Sequence, residues 1–390
     1  MAWNWQKADW PHFTWKDSRL AKAEEQFLLG GGVFLGTVKH LTSENRHQLT
    51  VEAMSNEAVT TSEIEGEILD RDSVQSSIRR QLGLATDHRR VQPAEQGIGE
   101  MMVDLFRNYA KPLDDDTLFA WHRMIANGRP ALRAIGRYRT RPEPMQVVSG
   151  KIYDPKVHFE APPSDRVGTE MRRYVEWFNR TAPDGSEPLP VLTRAGIAHL
   201  YFECIHPFED GNGRVGRAIA EKVLAQSLGQ PTLTAIAATI LANRKGYYDA
   251  LEAANKGNDL TDWLAWFAGI GLEAQQRTLV QIEFLIDKTK LLDNCRDSLN
   301  ERQQKVLIRM LNEGPEGFKG GLSAKNYVAI AKTSTATASR DLADMAERGV
   351  LTRTGEKRGA RYHLSIPLRQ VPRITIDKSG EIVKTPRPKG

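Results

Sequence analysis

The chain has 390 residues, 40% of them hydrophobic and 26% charged, with a formal net charge of +5; the length points to two or three domains and the composition excludes wholesale disorder. No run of about 18 apolar residues exists for a membrane-spanning helix, Met1–Lys7 lacks the segments of a signal peptide, and the distant Cys204 and Cys295 make neither a disulfide framework nor a zinc site, so a cytoplasmic protein without membrane contact is expected. Residues 366–390 hold six Lys/Arg against two Asp/Glu and residues 300–365 hold twelve against seven, which leaves 1–299 at −4 and places any acidic partner at the C-terminal part.

Trp3, Trp5, Trp10 and Trp15 crowd the first fifteen residues. Rings of that size need a surface to cover, so this lead is expected to strap onto the body. The spacing of Leu20, Ala23, Phe27 and Leu28 predicts a helix over about 18–41. A second follows over about 43–62, and a third opens at Asp70 or Asp72 as its cap. Further helices are expected over 97–109 and 115–126. The Pro-, Gly- and Arg-rich stretch 129–163 contains the alternating piece Gln146–Tyr153, which predicts a small β-hairpin turning at Ser149-Gly150. Helices resume over about 165–180, 193–205, 214–228, 232–240, 244–254 and 260–292. Beyond them come helices over 301–311, 323–331 and 334–348, with Gly349 as a C′ glycine, then strands over 350–353 and 361–364. That is the order of a winged helix. The last residues, 367–390, hold four prolines among basic side chains and are expected to be a mostly flexible basic tail.

The chemistry concentrates in His206-Pro207-Phe208-Glu209-Asp210-Gly211-Asn212-Gly213-Arg214-Val215-Gly216-Arg217. Pro207 and the glycines end an apolar helix at His206, and a new helix starts near Asn212. A Gly-Asn-Gly turn at a helix N-terminus makes an anion nest. Arg214 and Arg217, three apart, share one helix face and would clamp the same anion. Asp210 offers a hard oxygen suited to Mg2+ on phosphates, and His206 can take a proton near neutral pH. Singly, each residue has a plainer reading: a helix cap, a turn residue, a solvated arginine. Together they describe a phosphoryl- or nucleotidyl-transfer site without a Walker loop, because no packing need assembles these types. Gly30-Gly31-Gly32 lacks the spacing of a phosphate loop, and Glu203-x-x-His206 is only half of a di-iron pattern. His199 reads as a packed or surface histidine.

The run resembles the signature of the Fic family, His-Pro-Phe-x-Asp/Glu-Gly-Asn-Gly-Arg-x-x-Arg, at every fixed position. The resemblance covers about 96–290. Together with the winged-helix order and the tail read above, it implies a mainly α chain: an N-terminal helical domain (1–95), a helical Fic core with a β-hairpin flap (96–292), a C-terminal winged-helix domain (293–366) and the basic tail (367–390). It further implies an autoinhibited protein adenylyltransferase that moves AMP from ATP to a Ser, Thr or Tyr hydroxyl of a protein target and of itself, with removal of AMP left open. In that chemistry His206 would be the base and Asp210 would hold Mg2+. Asn212, Gly211 and Gly213 would hold the α-phosphate, and Arg214 and Arg217 the β- and γ-phosphates. Phe208 would anchor the loop.

Thr61-Ser62-Glu63-Ile64-Glu65-Gly66 resembles the family's inhibitory pattern, Ser/Thr-x-x-x-Glu-Gly/Asn. A Glu65 carboxylate in a bidentate pair with Arg217 would occupy the place of the γ-phosphate. The hairpin at Val147, Val148, Ile152 and Tyr153 resembles the flap that aligns the target by strand addition, and Tyr247 and Tyr248 resemble the adenine-side helix, with plain core packing as the other reading. A homodimer stays open. Thr335, Thr337, Ser339 and Arg340, with Arg353, Lys357, Arg358 and Arg361 on the wing, form a phosphate-contact footprint for DNA. Asp341, Asp344 and Glu347 dilute it, and protein docking is the other reading of that domain. The alternative function is therefore a DNA-binding winged-helix regulator with an ancillary Fic core.

Overall fold

The computed structural model describes residues 2–387 apart from His40, Asp87, His88, Pro130, Ile152, Tyr153, Thr232, Leu233, Arg296, Asp297, Glu316, Lys319 and Leu368. It divides into two units, Met1–Gln275 with Arg373–Thr385, and Gln276–Pro372 with Pro386–Gly390.

The first unit runs α1 (Asp17–Lys39), α2 (Ser43–Ile64), α3 (Arg71–Gln81), α4 (Pro93–Asn108), α5 (Asp115–Ile125), β1 (Gln146–Lys151), β2 (Asp154–Glu160), α6 (Ser164–Arg180), α7 (Val191–Ile205), α8 (Asn212–Leu228), α9 (Ile236–Ala242) and α10 (Arg244–Ala254). The helix α11 (Thr261–Cys295) contributes residues to both units. No helix is long and apolar enough to cross a membrane among the described residues. Asp70 is the cap that opens α3, accepting from the Ser73 amide at 2.8 Å.

The α7 helix is apolar all round, the pattern of a helix surrounded by protein, and it is buried along nearly its whole length. Its N-terminal amides need an acceptor, and Glu24 of α1 supplies one to Leu192 and Thr193 at 2.9 and 2.7 Å. The tryptophan lead straps onto this unit as expected. Trp5 donates to the Glu160 carbonyl at 2.6 Å, and Trp10 donates to Glu170 and meets Tyr201 edge-on at 5.2 Å.

The hairpin departs from the sequence expectation. Ser149 and Gly150 do not form the turn; they lie within β1, opposite Lys156 and Pro155, and the strands continue to Glu160. Pro155 reads as a break in sequence, but both strands of a two-stranded ribbon are edges, where a proline is tolerated.

The flexible tail is also corrected. Its residues form β5 (Arg373–Ile376) and β6 (Ile382–Thr385), paired antiparallel. Ile374 and Ile376 are buried in the core of the first unit. Arg19 donates to the Asp377 carbonyl at 3.0 Å and Lys22 pairs with Glu381. A lone hairpin is marginal in water, so only this packing makes the segment fold, and local composition carries no sign of it.

The second unit holds α12 (Glu301–Leu311), α13 (Ala324–Ala331), α14 (Thr335–Glu347), β3 (Leu351–Thr354) and β4 (Arg361–Leu364). Asn300, Ser323 and Ser334 cap the three helices with their side chains. Val306, Leu307, Tyr327, Leu342 and Met345 form a separate core. Leu322 bridges Tyr362 beside the β3–β4 ribbon.

Candidate active site

The loop from α7 to α8 is held rigid by its own side chains. His206 ends α7 in the left-handed region, at φ 50°, and Pro207 forbids another turn. Arg139 pins the exit. Its guanidinium donates to the His206 and Pro162 carbonyls at 2.8 and 2.5 Å, and its amide to the Pro207 carbonyl at 2.9 Å. Phe208 is fully buried and stacks on His122 at 4.2 Å, the anchoring role expected of it. Asn212 closes the loop: its side chain accepts from the Phe208 amide and donates to the Phe208 carbonyl, both at 2.9 Å. That use leaves the Asn212 side chain committed to the loop. The Glu209 carboxylate accepts from the Arg133 amide at 2.9 Å and pairs with Arg141 at 3.1 Å.

Burial and the nearby Arg139 push the His206 imidazole down to about 4, so it is neutral at pH 7. Its Nδ1 lies 3.3 Å from the Glu203 carbonyl and 3.8 Å from the Glu203 carboxyl. Nε2 is the remaining ring nitrogen. Burial pushes the Glu203 carboxyl up to about 8, so it holds its proton at pH 7. Asp210 accepts from the Gly211 amide through Oδ1 at 2.7 Å, while Oδ2 pairs with Arg129 and lies 3.6 Å from Arg214. No group of three or more metal-ligating side chains exists among the described residues. One exposed hard carboxylate beside an anion cradle is nonetheless what Mg2+ uses when water and substrate phosphates complete its shell.

Arg214 and Arg217 are each 3% exposed on one face of α8, and carboxylates from the end of α2 occupy both. Arg217 Nη2 meets Glu65 Oε1 at 2.7 Å. The pair is a single contact rather than bidentate: Thr61 Oγ1 accepts from Arg217 Nε at 2.7 Å and the Thr61 carbonyl from Nη2 at 2.9 Å, while the buried Nη1 has no hydrogen-bond partner among the described residues. A Cβ on Gly213 would stand 2.2 Å from Glu65 Oε1, so only glycine admits this carboxylate against the first turn of α8. Glu65 is the C-cap of α2. Gly66, at φ +83°, is its C′ residue, and the Gly66→Glu63 and Glu67→Ser62 backbone bonds, at 2.9 and 3.0 Å, complete a Schellman motif. The turn brings Glu67 back to the site, where Arg214 Nη1 meets its Oε2 at 2.7 Å.

The rest of α2 is docked with equal care. Glu57 accepts from the Ala237 amide at the start of α9 at 2.8 Å, and Arg244 donates to the Ile64 carbonyl at 2.7 Å. The two tyrosines separate. Tyr247 is core, 2% exposed, with its hydroxyl 2.9 Å from Nε2 of the buried His199, whereas Tyr248 is 41% exposed beside the end of α2. Val147 and Val148 are exposed on β1; Ile152 and Tyr153 lie outside the described residues. Sequence reading missed Arg139, Glu67 and Arg129, and it met Glu203 only as half of a di-iron pattern.

Residues 112–224 match the Fic/DOC family, and residues 3–84 match a domain of unknown function (DUF4172). A protein adenylyltransferase of Caenorhabditis elegans is 29% identical over 154 residues, 40% of this chain and 26% of that protein. A probable protein adenylyltransferase of Aquifex aeolicus is 32% identical over 99 residues, 25% of this chain and 27% of that protein. The chain thus spans about a quarter of the length of these relatives. Among solved structures, a Fic family protein from Desulfovibrio desulfuricans aligns with a TM-score of 0.50 at 21% identity, over 88% of this chain and 95% of that one. A Fic-domain signaling protein from Bacteroides thetaiotaomicron gives 0.51 at 19% identity, over 67% and 95%. At such identities the likeness is one of fold. The loop between α7 and α8 lies within the residues that match the Fic/DOC family.

Proposed function

We propose that this protein transfers AMP from ATP to a Ser, Thr or Tyr hydroxyl of a target protein and of itself, and that the end of α2 holds it inhibited. The observation that carries the reading is the convergence, within one loop and one helical turn, of a neutral imidazole, an open helix N-terminus and two buried guanidinium groups already holding carboxylates. The target hydroxyl oxygen attacks the α-phosphorus, the bond to the β-phosphate oxygen breaks, and pyrophosphate leaves. His206 Nε2 receives the hydroxyl proton, with Nδ1 turned to the Glu203 carbonyl. The α8 amides and Arg214 and Arg217 bear the phosphate charge. Asp210 is the residue that would hold Mg2+, which when bound neutralises phosphate charge. The exposed β1–β2 ribbon would align the target segment by strand addition.

Incubating the full chain with Mg2+ and ATP labelled at the α-phosphate, then following label on the protein, tests the reading. His206→Ala should lower labelling by about 10²–10⁴-fold while ATP binding persists. Labelling at the wild-type rate would refute the assignment.

One observation favours a second activity in the second unit, read as a winged helix. Two of the acids that diluted its footprint are spent inside the unit: Asp341 is buried against Arg302 and Tyr327, and Asp344 takes Gln303 and Arg348. The exposed residues of α14 include Thr335, Ser339 and Arg340, with Arg353 exposed on β3 and Lys357 exposed in the turn between β3 and β4. That face supports binding of duplex DNA. Full-length protein should bind duplex with affinity falling steeply as salt rises, and Arg340→Glu should weaken it. Absence of binding at low salt would favour protein docking.

A further inference from the structure

The anion held by Arg214 lies outside the recognised inhibitory pattern. Glu67 Oε2 accepts from Arg214 Nη1 at 2.7 Å and from Arg129 Nη2 at 2.6 Å, so a single carboxylate oxygen is shared by two guanidinium groups. Arg129 belongs to the loop after α5, not to the motif, and it also pairs with Asp210. Glu67, Arg129, Asp210 and Arg214 thus close a ring of alternating charge. Without Glu67, the two guanidinium groups would keep only Asp210 as a counter-charge, and burial together with Arg129 drives the Arg214 pKa downward. An oxygen that two arginines approach together is the arrangement these side chains use for phosphate.

We infer that Arg129 and Arg214 form a subsite for a phosphate oxygen of the nucleotide, which Glu67 fills in the resting chain. The inference rests on the proposed use of ATP and deepens it. It gives the helix end a defined purpose. Because Glu65 is the C-cap and Glu67 the C″ residue of one Schellman motif, the turn at Gly66 sets both carboxylates at once, one on Arg217 and one on Arg214. The end of α2 is then a double phosphate mimic, and withdrawing Glu65 alone leaves Arg214 occupied.

The test is calorimetric binding of ATP and of AMP, each with Mg2+, to the full chain. Glu67→Gln keeps the shape and removes the charge. It should tighten ATP by roughly 5- to 20-fold, as expected for a partly exposed charged contact, and leave AMP, which lacks the outer phosphates, unchanged. Adding Arg129→Gln should abolish the gain. Unaltered ATP affinity in Glu67→Gln, an equal gain for AMP, or a gain that survives Arg129→Gln each overturns the subsite. Should Glu67→Gln lose AMP binding through misfolding, Glu67→Asp, too short to reach both guanidinium groups, carries the same comparison. If no variant transfers label while the ATP affinities move as stated, the transfer reading fails and the subsite stands.

Discussion

Replacing Glu65 with Gly removes one side of the contact that closes Arg217. The pair is asymmetric: the Arg217 side chain is 3% exposed and that of Glu65 32%. Fully exposed pairs are worth roughly 0.2–1 kcal/mol, and hydrogen bonds to a charged group about 1.5–3 kcal/mol. An intermediate value of about 1.5–2.5 kcal/mol converts to a rise in transfer of roughly 10- to 70-fold. The gain stays below full release, because Thr61 still holds Arg217 through its hydroxyl and carbonyl and Glu67 still holds Arg214. The assay is self-labelling by ATP labelled at the α-phosphate, at ATP concentrations below saturation so that improved binding registers in the rate. Adding Arg217→Ala should erase the rise, since the freed guanidinium is what the nucleotide gains. The reasoning is refuted if Glu65→Gly labels at the wild-type rate, or if the double variant keeps the gain.

With the imidazole of His206 held near 4, the acid limb of the transfer rate should fall near pH 4, with the rate flat from about pH 5.5 to 8; a midpoint near 6.5 would mean an exposed base. Glu57 and Glu203 are both raised to about 8, so between their unfolded values near 4.5 and pH 8 the folded chain binds more protons than the unfolded one, and stability falls as pH rises through 8. His122, His199 and His206, lowered to about 4, work in the opposite sense between pH 4 and 6.5; thermal unfolding should therefore peak near pH 6.5, and Glu203→Gln should flatten the decline toward pH 8. Ile376→Ala should lower the stability of the first unit by about 2–4 kcal/mol, measured by denaturant unfolding, whereas a flexible tail would give no change.

The motif loop was legible because its chemistry is local: Pro207, Phe208 and the glycines dictate the turn, and Arg214 and Arg217 follow from helical spacing. The Glu65–Arg217 contact joins residues far apart in sequence, and only the family resemblance bridged them. Glu67 and Arg129 had no such bridge. An ion pair between a helix end and a distant loop leaves no period, and in sequence both residues read as solvated charges. Tyr247 and Tyr248 show the limit of residue type alone, since adjacent rings on α10 point one into the core and one to solvent. The β5–β6 ribbon was illegible for an energetic reason. Its strands are four residues each, too short to declare themselves without the surface they cover.

That ribbon changes what kind of object the second unit is. The chain leaves the first unit after Gln275 and returns to it at Arg373, so the second unit is an insertion tethered at both ends. Its own ends are clasped by Arg369, which pairs with Glu283 and Asp287 at 3.0 Å each. Unfolded, it becomes a loop spanning Gln276–Pro372, whose closure costs roughly 4 kcal/mol of chain entropy before a constant. The covalent path alone is enough to couple the two units. Melting the inserted unit taxes the docking of β5–β6, and with it Ile374 and Ile376, in the unit that carries the α7–α8 loop. A protease nick within the melted insertion would cut the tether, so that the β5–β6 ribbon would have to rebind as a separate piece at a greater entropic cost.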